Sequence, residues 1–459
     1  MRKYFGTDGI RRIANTELTP ELVYKVGKAG AYVLSKHTDH APTIFIGRDT
    51  RISGTLIESA MTAGFLSYGA NVKMLGVMPT PAVAYLTKKF KADASVVISA
   101  SHNTFEFNGV KYFSNKGMKI PDELEEEIEE VMDSGKINEL TAVNDKIGTS
   151  EIATELLDEY VYFFRKNFEE DLERLNRDDF VVAVDTANGA TSVVADKVFT
   201  VLGIKHHILN DSPNGININD GCGSTHLEML KQYVIDKKCS LGIAYDGDGD
   251  RCLAVDENGN EIDGDKIIAI ISQYLKSKGK LNKDTIVATV MSNLGLNKYA
   301  KQNELNFVQT KVGDRYVLEE MLKNGYNLGG EQSGHVICLD YNPTGDGILT
   351  SLMIIRAILE QGKKASEVAS IMKAYPQVLI NAKVSSEKKY DFDKDEEIKS
   401  AIEKLNKEFD GNGRVLIRAS GTEPLVRVMI EGEDQDYIKQ KAQTIANLIE
   451  QKLGDGARK

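Results

Sequence analysis

Short apolar runs and amphipathic stretches of helical period alternate along the whole chain, the pattern of α/β domains. Residues 43–47 (TIFIG) and 95–98 (SVVI) are compact, largely apolar and followed by polar loops, so both read as buried strands. Thr19-Pro20 supplies a helix N-cap and a first helical residue, after which Leu22, Val26, Ala29 and Val33 recur on one face. Pro121 opens a second, strongly acidic helix with Leu124, Ile128, Val131 and Met132 turned inward. Its glutamates read as a solvated outer face.

The alternation falls into blocks. A turn-rich stretch at 133–150 marks a first boundary, and residues 180–185 (FVVAVD) and Leu241–Tyr245 (LGIAY) are strands of a second series. A third contains the strand 285–291 (TIVATVM) and, after 326–328, the polar loop 329–335. The charged segment 385–397 lies close to the last boundary. From about residue 372 the pattern changes to strands at 415–418 and 426–431, then a closing helix with Ile438, Ala442, Ile445 and Ile449 on one face. These divisions predict domains at 1–152, 153–256, 257–371 and 372–459, in keeping with a chain of 459 residues. Three times a short apolar run leads into a glycine- or serine-rich loop (SASHN, DGDGD and GEQSG), so one architectural device is expected in three domains.

Charge narrows the partners. A net charge of −11 disfavours nucleic acid and anionic membranes, which select clustered Lys and Arg, but leaves room for a small anionic substrate held by local cations. The four cysteines form no C-x-x-C pair, which argues against a disulfide framework or structural zinc and suits a reducing compartment. The N-terminus lacks a signal-peptide core and no apolar run approaches the roughly 20 residues of a membrane span, so the expected location is the cytoplasm.

The sharpest local signal is Asp246-Gly247-Asp248-Gly249-Asp250-Arg251. Carboxylates at alternate positions, with glycines between, can turn towards one point, where a divalent cation would relieve their repulsion. A solvated polar turn is the alternative. An EF-hand would use the same aspartates with Glu257 as its twelfth ligand, but Arg251 stands where that loop needs glycine, and both flanks read as strands. Ser101, in Ser99-Ala100-Ser101-His102-Asn103 at a strand end, is placed as a nucleophile. His102 is too close in sequence to be its natural base, G-x-S-x-G is absent, and taken alone the loop reads equally as a strand-end cap. In Arg418-Ala419-Ser420-Gly421-Thr422-Glu423-Pro424 a guanidinium, two hydroxyls and glycine-exposed N–H groups are the elements of a phosphate cradle, to which Arg427 could add a second fork. Gly330-Glu331-Gln332-Ser333-Gly334-His335 has the polar density that suits a sugar, though by itself it reads as a polar loop.

Together, in order and at domain-length spacing, these four loops resemble the α-D-phosphohexomutase superfamily from Phe5-Gly6-Thr7-Asp8-Gly9-Ile10-Arg11 to the RASGTEP loop. GTDGIR, GEQSGH in place of GEMSGH, and TKVGDRYV at 310–317 favour its glucosamine branch. The resemblance implies an α/β molecule of four domains, three related mixed α/β domains and a small α+β C-terminal domain around a central cleft. It implies interconversion of glucosamine 6-phosphate and glucosamine 1-phosphate through a phosphoserine enzyme and a 1,6-bisphosphate. By the same resemblance Ser101 carries the phosphoryl group and, with Asp246, Asp248 and Asp250, binds one Mg²⁺ per subunit. Lys111, Arg251 and His335 serve the transfer. Arg11, Glu331 and Ser333 contact substrate, and Arg418, Ser420, Gly421, Thr422 and Arg427 hold the phosphate not being transferred. Glucosamine 1,6-bisphosphate is the implied activator, a hexosamine phosphate the ligand, and a homodimer an assembly common in the superfamily. One departure is Thr104, where the family loop usually has proline; its loss is expected to loosen the segment after Ser101. Another is Asp314, where some sugar mutases carry a histidine. A phosphoglucomutase or phosphomannomutase is the nearest alternative, and a metal-dependent sugar phosphatase or a non-catalytic sugar-phosphate binder a more distant one.

Overall fold

The computed structural model describes residues 3–6, 8–36, 38–420 and 423–454. They form two compact units, one running to Met291 and resuming at Glu304–Ile371, the other made of Ser292–Asn303 and the chain from Met372.

The first unit holds three sheets. In the first, β1 (Ile10–Ile13), β2 (Thr43–Arg48), β3 (Asn71–Val77), β4 (Ala94–Ile98), β5 (Phe107–Ser114) and β6 (Ser150–Ile152) lie in the order β1-β5-β4-β2-β3-β6. Strands β4, β2, β3 and β6 are parallel, whereas β5 runs antiparallel between β1 and β4 and sets Lys111 opposite Val97. Helices α1 (Pro20–Ser35), α2 (Gly54–Tyr68), α3 (Thr80–Phe90) and α4 (Asp122–Asp133) accompany it. Thr19 caps α1 through the Leu22 N–H, as its sequence predicts, and Val26, Ala29 and Val33 are buried.

The second sheet joins β7 (Val181–Asp185), β8 (Lys205–Leu209), β9 (Leu241–Tyr245), β10 (Cys252–Asp256) and β11 (Glu261–Ile262) in the order β11-β10-β9-β7-β8, with α5 (Leu157–Glu173), α6 (Ala195–Val201) and α7 (Glu228–Lys237). The third takes β12 (Thr285–Thr289), β13 (Asn306–Thr310), β14 (Leu328–Gly330) and β15 (Val336–Cys338) in the order β13-β12-β14-β15. Its helices are α8 (Gly264–Ser277), α10 (Asp314–Asn324), α11 (Gly347–Gln361) and α12 (Ala365–Ala369), while α9 (Leu294–Gln302) belongs to the second unit. There β16 (Gln377–Lys383), β17 (Gly413–Ala419) and β18 (Leu425–Gly432) form an antiparallel sheet ordered β16-β18-β17, with α13 (Glu396–Phe409) and α14 (Gln435–Leu453). Ile438, Ala442, Ile445 and Ile449 of α14 are buried in its core, as their spacing requires.

Two local expectations change. Glu129 of the acidic helix is buried, and its carboxylate accepts the backbone N–H groups of Lys3, Tyr4 and Phe5 at 2.6–2.7 Å. An acid placed to cap the incoming chain cannot also be solvated. Gly329 and Gly330 lie in β14 rather than in a loop, because they pair with Ile337 and Val336 of β15; a side chain at Gly329 would come within 2.8 Å of both Met321 Sδ and Val287 O. The four cysteines are buried and free, and no helix among the described residues is long and apolar enough to cross a membrane.

Asp346 caps α11 from a fully buried position without a cation among its hydrogen-bond partners; Leu349 N–H and Tyr160 Oη–H donate to Oδ1 and Asn342 to Oδ2. Burial raises its carboxyl to about 6, against the hydrogen bonds that favour its charge. The stability it contributes as a neutral acid is full below about 4 and is lost as pH rises to about 6, roughly 2–3 kcal/mol by linkage. Melting curves of wild type and Asp346→Asn between pH 4 and 7 should therefore diverge, the wild type losing stability relative to the variant as pH rises through that window. Parallel curves would show that this carboxyl does not titrate there.

Candidate active site

The SASHN loop leaves β4, the DGDGD loop joins β9 to β10, and the GEQSG loop joins β14 to β15. All three converge in the first unit. Ser101 Oγ donates to Asp246 Oδ2 at 2.6 Å, the Cys252 N–H donates to Gly334 O at 3.0 Å, and His335 Nδ1 lies 3.7 Å from Asp250 Oδ2. Glycine makes this approach feasible: a Cβ on Gly247 would be 2.6 Å from Ser101 O, and one on Gly345 2.6 Å from the His335 ring. Of the two glycines between the aspartates only Gly249 needs a left-handed backbone, at φ +72°.

Asp246, Asp248 and Asp250 are buried and present one oxygen each within 4.8 Å of one another. Asp248 Oδ2 accepts Thr80 Oγ1–H at 2.7 Å and Lys111 Nζ–H at 3.0 Å, while Asp248 Oδ1 and Asp250 Oδ1 are buried and accept no hydrogen bond from the described residues. Burial, then Asp250 and Asp248, push the Asp246 carboxyl well above the usual range. For Asp250 burial acts upward too, but Lys111, His335 and Arg251 outweigh it and hold the group low. Three buried carboxylates side by side, two of them with an oxygen that no hydrogen bond satisfies, fit a hard divalent cation. Glu257 does not join them; it accepts the N–H and hydroxyl of Ser366 at the start of α12, so the EF-hand alternative fails on geometry as well.

Lys111 is 3.0 Å from Asp248, 3.1 Å from Asp8 and 3.7 Å from Asp250. Its burial opposes the charge, yet those carboxylates prevail and keep the ammonium protonated. Asp8 also pairs with Lys119 at 3.0 Å and Arg11 at 2.9 Å, and Arg11 donates to the Asn103 side chain at 3.2 Å. Arg251 stays cationic against its burial because Asp246, Asp250 and Glu331 surround it. His335 accepts the Gly345 N–H at Nε2, 3.1 Å away. Burial lowers its affinity for a proton, and Asp250, Asp314 and Glu331 raise it to about 9. A backbone N–H aimed at Nε2 nonetheless requires a lone pair there, so the geometry favours the neutral ring protonated at Nδ1. His102, 3.4 Å from Ser101 Oγ, is held neutral by burial and by Arg251 and Arg11, at about 4.

Of the remaining candidates, Glu331 accepts the Gly313 N–H at 3.1 Å and Ser333 is exposed at the hairpin tip. In the second unit Arg418 lies directly across from Arg427 on β17 and β18, while Ser420 is buried. Burial, then Arg427, make Arg418 harder to keep charged. Gly421 and Thr422 lie outside the described residues. Residue types alone did not single out Asp8, Thr80, Arg51 or Asn219. Only Asp8 stood within a quoted motif; the others are scattered polar residues that folding brings to the cluster.

Models of the four phosphoglucomutase/phosphomannomutase domains match the chain in order: α/β/α domains I, II and III at residues 2–139, 158–259 and 263–375, and the C-terminal domain at 379–448. Phosphoglucosamine mutases of Ruminiclostridium cellulolyticum and Clostridium botulinum are 53% and 54% identical to it, over 99% of this chain and 100% of theirs. The chain belongs to the phosphoglucosamine mutases of the α-D-phosphohexomutase superfamily. A phosphoglucomutase/phosphomannomutase family protein of Burkholderia thailandensis shares the fold, with a TM-score of 0.81 at 20% identity, over 99% of this chain and 98% of that one. The family is one of isomerases that act by phosphoryl transfer, and its members use Mg²⁺ through an acidic triad such as Asp246, Asp248 and Asp250. The sequence resemblance, the four-domain composition and the enzyme class are thereby borne out.

Cation binding gives a direct check. Calorimetric titration with Mg²⁺ should show weakened binding in Asp248→Asn and Asp250→Asn, and a loss of about 10-fold in Thr80→Val, which removes a donor orienting Asp248. Glu257→Gln should bind as wild type does. Equal affinity in every variant would remove the triad from cation binding.

Proposed function

We propose that the protein interconverts glucosamine 6-phosphate and glucosamine 1-phosphate, with Ser101 as the phosphoryl carrier. The observation that carries this reading is the buried 2.6 Å contact of Ser101 Oγ with the first aspartate of the triad, in a chain 53% identical to phosphoglucosamine mutases end to end. A Mg²⁺ ion held by Asp246, Asp248, Asp250 and an oxygen of phosphorylated Ser101 would supply positive charge against the transferring phosphoryl group.

The chain's own residues divide the remaining work. Arg251 and Lys111, both kept cationic by the carboxylates around them, offset charge on the phosphoryl oxygens. Arg11 is tied to the Ser101 loop through Asn103 and faces the substrate. Glu331 and Ser333 bind sugar hydroxyls. His335, fixed at Nε2 by Gly345, faces Asp250 with Nδ1 at 3.7 Å. Arg418, Ser420, Gly421, Thr422 and Arg427 hold the phosphate that is not being transferred. Two guanidinium-bearing residues directly opposite on neighbouring strands repel each other, and an anion between them would turn that repulsion into binding. Because the same serine serves both ends of the sugar, the intermediate is glucosamine 1,6-bisphosphate, and the added bisphosphate should act as activator.

Intact-mass and peptide spectrometry of the active protein should find phosphate on Ser101, and Ser101→Ala should lose mutase activity. In a panel assayed with Mg²⁺, glucosamine phosphate should give a higher kcat/KM than glucose or mannose phosphates. A preference for either of the latter would move the specificity to the phosphoglucomutase or phosphomannomutase branch. Net release of inorganic phosphate without isomerisation would make the protein a phosphatase.

Arg418→Ala should cost about 2–4 kcal/mol in kcat/KM, the loss of charge-assisted hydrogen bonds to one phosphate, while Ser101 stays phosphorylated. Steady-state rates measured against added bisphosphate should also show stronger activator dependence than in wild type. Equal rates and equal dependence would reduce the RASGT loop to a turn.

A further inference from the structure

We propose that Arg51 and Asn219 are positioning residues for phosphoryl transfer, which hold the Ser101 loop by its backbone carbonyls so that Oγ stays against the acidic triad. The proposal rests on the reading of Ser101 as the carrier. Ser101 is a non-glycine residue at φ +53°, a conformation that a loop keeps only when its surroundings impose it. Its Oγ makes a single short contact, with Asp246, and its backbone must hold that direction while the side chain gains and loses a phosphoryl group.

The hold comes from two sides. Arg51 is fully buried and paired with Asp49 at 3.0 Å. Its guanidinium donates to Ser101 O at 2.9 Å, Asn103 O at 2.8 Å and Thr104 O at 3.2 Å. From the β8–α7 segment, Asn219 Nδ2 donates to Ser101 O and to Asn103 O, each at 2.9 Å. Asp49 closes the arrangement: its Oδ2 accepts Ser99 Oγ–H at 2.6 Å, and Ser99 Oγ accepts the Ser101 N–H at 2.9 Å. The Ser101 peptide is therefore held at both its N–H and its carbonyl, and Gly247 of the acidic loop packs against that same carbonyl.

None of these bonds involves Ser101 Oγ or an aspartate of the triad, so they can set geometry without entering the chemistry. A guanidinium offers five donors in a rigid fork, which lets one side chain fix three carbonyls within four residues. Lysine keeps the charge opposite Asp49 but reaches fewer of them. The same clamp supplies the stiffness that Thr104 does not bring to the loop, since Thr104 O is one of the carbonyls held.

The test uses full-length Arg51→Lys, Asn219→Ala and the double variant. Ser101 phosphate is read by intact mass, folding by thermal melting, and turnover as kcat and KM separately. Arg51→Lys should stay phosphorylated and lose kcat by about 10²-fold with KM unchanged, the effect of a misplaced reacting group. Asn219→Ala should lose less, because Arg51 still holds the shared carbonyl. The double variant should lose more than the two single losses combined, since each single variant retains one donor to Ser101 O. If Arg51→Lys does not fold, Asn219→Ala alone decides. Unchanged kcat in folded, phosphorylated variants would overturn the proposal, as would a loss that tracks the unfolded fraction or appears only in KM. Absence of phosphate from wild-type Ser101 would instead overturn the carrier reading itself, and this inference with it.

Discussion

Carboxylates repel, and this protein buries several of them in one place. Asp8, Asp49, Asp246, Asp248 and Asp250 are joined in one network of ion pairs and hydrogen bonds through Lys111, Arg51, Arg251 and the Ser99–Ser101 segment. Removing such charges from water is expensive unless each meets a cation or a donor. Lys111, Lys119, Arg11 and Arg51 answer most of the demand, and the raised Asp246 carboxyl marks where it is unmet without a divalent cation. A phosphoserine at Ser101, as proposed, would add roughly −1.5 to −2 charge at that point and would itself call for a cation there.

The arrangement requires three loops from three sheets to approach more closely than side chains ordinarily allow. Gly247 lies against Ser101 O, Gly334 against Cys252 O and Gly345 against His335. Each absent Cβ is a point where one loop meets the backbone or ring of another. Helix α3 completes the enclosure, its first residue giving both its N–H and its hydroxyl to Asp248. The rigidity that phosphoryl transfer asks for thus comes from backbone contacts between loops as much as from the reacting side chains.

The second unit presents the opposite electrostatic condition. Arg418 and Arg427 face each other across a strand pair, and among the described residues Arg427 has a carboxylate, that of Glu423, at 3.7 Å. An excess of cations there complements a phosphate, as the excess of carboxylates around Ser101 complements a metal ion.

Much of this was legible in the sequence. Period and turn chemistry located the helices after Thr19 and Pro121, the strands ending at Ile98 and Tyr245, and the buried face of α14, because these depend on neighbours within a few residues. The spacing of Asp246, Asp248 and Asp250 disclosed a loop able to hold a cation for the same reason, since its three carboxylates lie in one short segment. Tertiary structure alone decided what depends on distant partners. It turned Glu129 from a solvated face to a cap on the chain's start, set Lys111 among the carboxylates of Asp8, Asp248 and Asp250, and engaged His335 Nε2 with Gly345. It also brought Arg51 and Asn219, 168 positions apart in the numbering, to one carbonyl of Ser101. A residue's type announces which bonds it can make; which of them it does make depends on the burial and the neighbours that only the packed chain supplies.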